Sequence, residues 1–376
     1  MNAKEIIRKL SLMIIVILLL CNFAMGQMGA FQVVPPKRIP EILNTISTRV
    51  QQNFLQIHSW EGEIEVSWYV VYKGETAKDI FTRYTDAVGE APNSVEEIDK
   101  SKTTFSCDLD KGFFYAKNHR TTSTLYIDPV SGRDLGTKSI PWWSISILTP
   151  EYHLHSSPNR MRDGHVVQCR GVKEKVEQEV EQDRSSCARP PSVFDPRDLF
   201  DARTPVWLYY PRIVERIEKK GEYVVDDKYA LKVEQRELDG EVQYRVHEPA
   251  KVGPEGDNIW LIKTYSTDAG CNMISSERTR ADGKLLRRQS LEYQSVQGVY
   301  IPSRITYETF DHNDGSLRNR KEQIFKNVHL NAVIRAETFT YKNLGLNNGD
   351  KFIDNIEGKE YRYQDANLVP ITDAGK

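Results

Sequence analysis

The sequence predicts a mainly β chain, a large and strongly curved antiparallel sheet with an N-terminal helix and other short helices on its concave side. Three observations carry this. From Gly62 onward, Ile64, Val66, Trp68, Val70 and Tyr72 alternate with Glu63, Glu65, Ser67, Tyr69 and Val71, the period-2 pattern of a half-buried strand. Between residues 273 and 328, alternating runs are separated by Asp282-Gly283, Gln297-Gly298 and Asn313-Asp314-Gly315, turn sequences that join hairpins. Strands and helical patterns do not alternate as a parallel α/β fold requires.

The first element is an export signal. Lys4, Arg8 and Lys9 precede an apolar run from Leu12 to Cys21, and Ala24 and Gly26 are small residues at the cleavage-critical positions. Cleavage is expected between Gly26 and Gln27. The run is half the roughly 20 residues that a bilayer-spanning helix needs, so the mature chain is not expected to span a membrane. Lipid attachment at Cys21 is disfavoured by Leu20, which stands where that processing wants a small residue. The expected location is the periplasm or the extracellular space.

Residues 27–37 read as a linker because Pro35-Pro36 blocks regular structure. A helix is expected from Pro40 to Gln56: Pro40 suits a first turn, Glu41 complements the helix dipole, and Leu43, Ile46, Val50 and Phe54 recur at helical spacing. Its other face, Asn44, Ser47, Gln51 and Gln52, is polar. Strands follow at Thr103 to Leu109, Gly112 to Ala116 and Ser123 to Ile127.

Residues 141–225 contain eight prolines and read as an irregular excursion, in which Lys173 to Arg184 is an exposed helical turn or loop. The β pattern returns at Ala230 to Arg236, Val242 to His247 and Trp260 to Tyr265. It continues through Met273 to Arg280, Leu285 to Val296, Val299 to Phe310 and Leu317 to Val328. Residues 346–376 read as a C-terminal extension or short hairpin.

Charge and motifs exclude several classes. The formal net charge is −2, near −4 once the signal's three basic residues and Glu5 are removed, and no basic patch of a nucleic-acid binder is present. G-x-S-x-G, H-E-x-x-H, P-loop and G-x-G-x-x-G patterns are missing, so no catalytic residue is assigned and an enzyme is not expected. No cofactor or metal is assigned either. Asp311 to Gly315 with Glu322 resembles a calcium loop, but its glycine is at the fifth place and strands flank it, so a hairpin turn is expected. His153-Leu154-His155 beside Glu151 supplies two ligands on one side of an extended segment, without a placeable third; surface histidines are expected. Asp108-Leu109-Asp110 is too short a pattern to assign.

Four cysteines remain after cleavage: Cys107, Cys169, Cys187 and Cys271. They are either disulfides, as an oxidising compartment favours, or buried thiols. Cys169 with Cys187 is the pair that would close the charged excursion.

The order of parts resembles a known family. The helix runs into Trp60-Glu61-Gly62-Glu63-Ile64-Glu65-Val66, and the meander carries Asp282-Gly283-Lys284 and Tyr293-Gln294-Ser295-Val296-Gln297-Gly298-Val299-Tyr300-Ile301-Pro302. This is similar to exported outer-membrane lipoprotein-sorting proteins, related to the periplasmic carrier LolA. Phe194 to Leu199 and the tail Leu344-Gly345-Leu346, Gly349-Asp350 and Tyr361-Arg362-Tyr363 resemble segments of large members of that group. The resemblance covers residues 38–345. It implies an unclosed half-barrel whose helices cover a concave face that holds acyl chains. The chain departs from a simple carrier in its length, chiefly through residues 141–225, and the carrier's lid-contacting arginine has no matching position.

The expected function is therefore that of a non-enzymatic binder or carrier of an apolar or lipidated ligand. Ile64, Val66, Trp68, Val70 and Tyr72 on the strand, with Leu43, Ile46, Val50 and Phe54 on the helix, would line the cavity, and the helix would act as its movable cover. The alternative is a protein-binding or envelope-sensing module with a filled core, whose partner is an envelope protein.

Overall fold

The computed structural model describes residues 29–84, 89–120, 124–138, 142–162, 165–175, 206–220, 224–226, 229–252 and 257–371. The signal segment with its Gly26–Gln27 junction, the Phe194 to Leu199 segment and Cys187 lie outside these residues. Among the described residues no helix is long and apolar enough to cross a membrane.

In chain order the elements are β1 (Gln32–Val33), α1 (Ile39–Leu55), β2 (Ser59–Lys73), α2 (Gly74–Tyr84), β3 (Ser94–Asp108), β4 (Phe113–Arg120), β5 (Thr124–Ile127), β6 (Asp134–Lys138), β7 (Trp142–Leu148), β8 (Tyr152–Arg162), β9 (His165–Lys175) and α3 (Val206–Lys220). There follow β10 (Val224–Asp226), β11 (Tyr229–Ala230), β12 (Lys232–Leu238), β13 (Glu241–Val252), β14 (Asp257–Ser266), β15 (Met273–Arg280), β16 (Leu285–Val296), β17 (Val299–Phe310), β18 (Leu317–Leu330), β19 (Lys351–Asp354), β20 (Lys359–Gln364) and β21 (Asn367–Pro370). The chain is mainly β, as expected, and it divides into two compact units: Met1–Val50 with Trp207–Asp282, and Gln51–Val206 with Gly283–Lys376.

In the first unit β12, β13, β14 and β15 form a meander, and β1 pairs with the outer edge of β12. Part of the expected linker is thus built into the sheet. Val34 donates its N–H to Val233 O at 2.9 Å, and the Phe31 ring lies under the Arg236 and Arg245 guanidinium groups, at 4.5 and 3.8 Å. Strand pairing stops after Val34, and a 3₁₀ turn at Pro36–Arg38 leads into α1. Helix α3 buries Tyr210, Ile213 and Val214, an i, i+3, i+4 stripe. Tyr210 Oη meets Glu248 at 3.1 Å and Tyr265 Oη at 2.7 Å, and Lys263 Nζ neutralises Glu248 at 3.2 Å. This buried network had no sequence signature, because its members are 38 and 55 residues apart.

The second unit is one continuous run of paired strands, β16-β17-β18-β2-β3-β4-β7-β8-β9-β19-β20-β21. Every pair is antiparallel except β9 with β19. Among the described residues no pairing joins β16 to β21, so the sheet is open. Strand β3 is long enough to pair twice, with β4 along Ser101–Asp108 and with β5 along Glu96–Ile98. On that branch α2 buries Ala77 and Phe81 against Val95, Tyr126 and Leu135.

Residues 142–162 and 165–175 correct the expected irregular excursion. They form β7, β8 and β9, and Lys173 to Lys175 are strand, not a helical turn. The prolines are accommodated locally: Pro158 sits at a register shift in β8, where a missing N–H costs no ladder bond. One face of these strands is covered by the C-terminal segment, through Phe339, Leu344, Leu346 and Phe352 against Ile145, Ile147 and Leu154. Cys169, the candidate partner of Cys187 should the cysteines be bridged, is buried inside this cluster and has no disulfide among the described residues. Burial first, then Asp350, pushes that thiol up to about 11. Cys107 and Cys271 are also buried, with no disulfide among the described residues.

Helix α1 straddles the division between units at Val50. Leu43, Ile46 and Val50 are buried, Phe54 is half-buried, and Ser47, expected on the polar face, is buried with them. Its exit is clamped by side-chain amides. Asn331, at φ 57°, a conformation Asn tolerates, accepts from His58 N–H at 2.8 Å and donates to Gln56 O at 2.9 Å. Asn53 donates to Tyr300 O at 2.8 Å and accepts from Tyr300 N–H at 2.7 Å.

Candidate functional site

The apolar stripe of β2 lies on one face of the second unit's sheet, and the register identifies its neighbours. Trp60 is opposite Leu330 and Cys107, Ile64 opposite Phe325, Val66 opposite Gln323, and Trp68 opposite Lys321 and Asp99. The stripe changes character along its length. At the Trp60 end it is solid: the indole is fully buried, edge-on to Phe105 at 5.6 Å and stacked on Phe325 at 5.8 Å. Ile64 and Val66 are buried as well, whereas Val70 and Tyr72 are half-buried and Trp68 is 44% exposed.

The open end is polar as well as aromatic. A row of directly opposed residues runs Gln289, Tyr307, Lys321, Trp68 across β16, β17, β18 and β2. Lys321 Nζ lies 5.1 Å from the Trp68 ring centroid and 6.0 Å from that of Tyr307. Among the described residues no carboxylate stands within ion-pair distance of it, and burial lowers its ammonium's affinity for the proton. Gln289 donates to Tyr307 Oη at 3.3 Å, and burial pushes that phenol up to about 12. Two buried oxygens on this face have no hydrogen-bond partner among the described residues, Gln323 Oε1 and Thr309 Oγ1. A half-buried cation between aromatic rings, beside unsatisfied polar atoms, can receive an anionic or hydrogen-bonding group, because each atom gains an interaction it otherwise lacks.

The strand residues Ile64, Val66, Trp68, Val70 and Tyr72 therefore share a face, but only the last three are accessible. Lys321, Tyr307, Thr309 and Gln323 were missed in the sequence. Alternation in β18 puts Lys321, Gln323 and Phe325 together on a face, but nothing local says that the face is covered. The same face continues through β4 and β7 to β8, where His153 follows the Trp60 row through Cys107, Phe114 and Leu148. His153 is buried, not a surface histidine as expected. Its imidazole is pushed down to about 4 by burial and by His155. The Asp311 to Gly315 segment is a hairpin turn, in which Asp311 and Asp314 accept backbone N–H bonds from Asn313 and Ser316.

No family model matches the chain, and no curated protein does. Among solved structures it is similar to a DUF1329 family protein from Desulfovibrio piger, with 10% identity and a TM-score of 0.35 over 81% of this chain and 98% of that one. It is similar to a LolA superfamily protein from Nitrosomonas europaea, with 9% identity and a TM-score of 0.33 over 80% and 99%. A domain from Vibrio parahaemolyticus assigned to outer membrane lipoprotein sorting gives 7% identity and a TM-score of 0.31, again over 80% and 99%.

Proposed function

We propose that this chain is an exported, non-enzymatic binder or carrier of an apolar ligand with an anionic or hydrogen-bonding head, such as the acyl chain of a lipid or lipoprotein. One observation carries the reading: Lys321 is half-buried between Trp68 and Tyr307 at the accessible end of an apolar stripe, with no carboxylate within ion-pair distance among the described residues. An acyl chain laid along Trp68, Val70 and Tyr72 would be stabilised by about 0.8 kcal/mol per buried CH₂, and its head would meet the ammonium. The test is solvent extraction of the purified protein, lipid mass spectrometry of the extract, and displacement of a fluorescent fatty acid. Trp68→Ala should weaken fatty acids and fatty alcohols alike, and Lys321→Met the acids selectively. Absence of both copurified lipid and displaceable probe would sink the proposal.

The packing of Trp60 between Phe105 and Phe325 favours a second reading for that end of the stripe, a filled core beneath a surface that recognises an envelope protein. A ligand that protects Trp68 but leaves Trp60 fluorescence unchanged separates the two regions.

A further inference from the structure

We propose that the sheet face of the second unit carries a binding site for a divalent transition-metal ion of the Zn²⁺ class, formed by His153, His155 and Glu174. The site follows from strand geometry. Residues i and i+2 of a strand project to the same side, so His153-Leu154-His155 places two imidazoles together, with ring centroids 5.3 Å apart. The third ligand comes from the next strand: Glu174 of β9 is the directly opposed partner of His153. One nitrogen from each histidine and one carboxylate oxygen all lie within 4.8 Å of one another. Small side-chain rotations bring such a set to the bond lengths of about 2.0–2.2 Å that Zn²⁺ takes from nitrogen and oxygen.

A second, independent observation points to an absent ligand. His155 Nδ1 is buried without a hydrogen-bond partner among the described residues, and a buried ring nitrogen left so costs free energy that a bond to a metal would recover. The surroundings fit the role. Ser146, opposite His155 in β7, meets His153 Nε2 at 2.7 Å, the kind of outer contact that fixes a ligating ring's tautomer and orientation. Asn118 Oδ1, on the same face of β4, is a buried oxygen without a hydrogen-bond partner among the described residues. Two imidazoles and one carboxylate suit zinc, copper, nickel or iron, whereas calcium and magnesium prefer all-oxygen sites. Three protein ligands leave a fourth position for water or an exogenous ligand.

The experiment is titration of the metal-stripped full mature protein with Zn²⁺ against a chromophoric chelator, with Ca²⁺ and Mg²⁺ as controls. One equivalent should bind, and neither control cation should compete. His155→Ala and Glu174→Gln, each checked by circular dichroism, should weaken that equivalent at least tenfold, while His58→Ala, at an exposed histidine, should leave it unchanged. Independently of any variant, Zn²⁺ should shift the imidazole ¹⁵N resonances of His153 and His155. A wild-type protein that binds no equivalent of Zn²⁺, or binds it without moving those resonances, overturns the assignment. So does binding that survives both substitutions.

Discussion

Replacing Asn53 by Ala removes the two hydrogen bonds that pin the last turn of α1 to the start of β17. The Asn53 amide acts toward Tyr300 as a neighbouring strand would, accepting from its N–H at 2.7 Å and donating to its C=O at 2.8 Å. Asn53 is buried, so truncation strands two backbone groups where water enters with difficulty. Each bond contributes about 1 kcal/mol net, and each orphaned group costs about 1–3 kcal/mol. Because water can reach part of the site, the expected loss is roughly 2–4 kcal/mol. Urea denaturation of Asn53→Ala against wild type measures it, and hydrogen exchange at the Tyr300 amide localises it. A loss below about 0.5 kcal/mol with Tyr300 still protected would mean that the helix end is held by something other than this pair. A large loss confined to Tyr300 exchange, with α1 amides unaffected, would also refute the pinning of the helix.

Three further outcomes are expected. Gly171→Ala places a Cβ 2.8 Å from Phe352 Cδ2 and 3.1 Å from Leu346 Cδ1, so overpacking should cost about 1–3 kcal/mol; an unchanged melting midpoint would show that the C-terminal segment shifts freely. Tyr307, whose phenol is held up at about 12 against a reference of 10, contributes stability that is fully present below pH 10 and is lost as the pH rises toward 12. The amount is about 3 kcal/mol; alkaline denaturation compared with Tyr307→Phe reads it, and identical curves would contradict it. Cys169, buried and pushed up to about 11, should resist alkylation in the folded protein at neutral pH and react on unfolding without reductant. Labelling that requires prior reduction, with a mapped link to Cys187, would decide for the disulfide alternative.

What the sequence determined by itself is local. Gly62 to Tyr72 alternates because successive side chains of a strand point to opposite faces, and each of the three meander turns carries a Gly, two of them with Asp or Asn before it, residues that adopt the backbone conformations that tight turns need. Gly283, Gly298 and Gly315 all take positive φ, and β16 and β17 run as expected between such turns. The helical spacing of Leu43, Ile46 and Val50 likewise reports only the residue's own neighbourhood. Residues 142–175 were illegible because β7, β8 and β9 are built among prolines and charges, and what makes them strands is their partners.

Tertiary structure alone decided the rest. The parallel pairing of β9 with β19 joins Arg170 to Lys351, a contact that no local pattern encodes. Cross-strand register set Lys321 between Trp68 and Tyr307, and it supplied Glu174 as the third member beside His153 and His155. It also divided one apolar stripe into a solid end at Trp60 and an accessible end at Trp68. Alternation tells which side chains share a face. What covers that face depends on residues hundreds of positions away, and so does the meaning of each side chain on it.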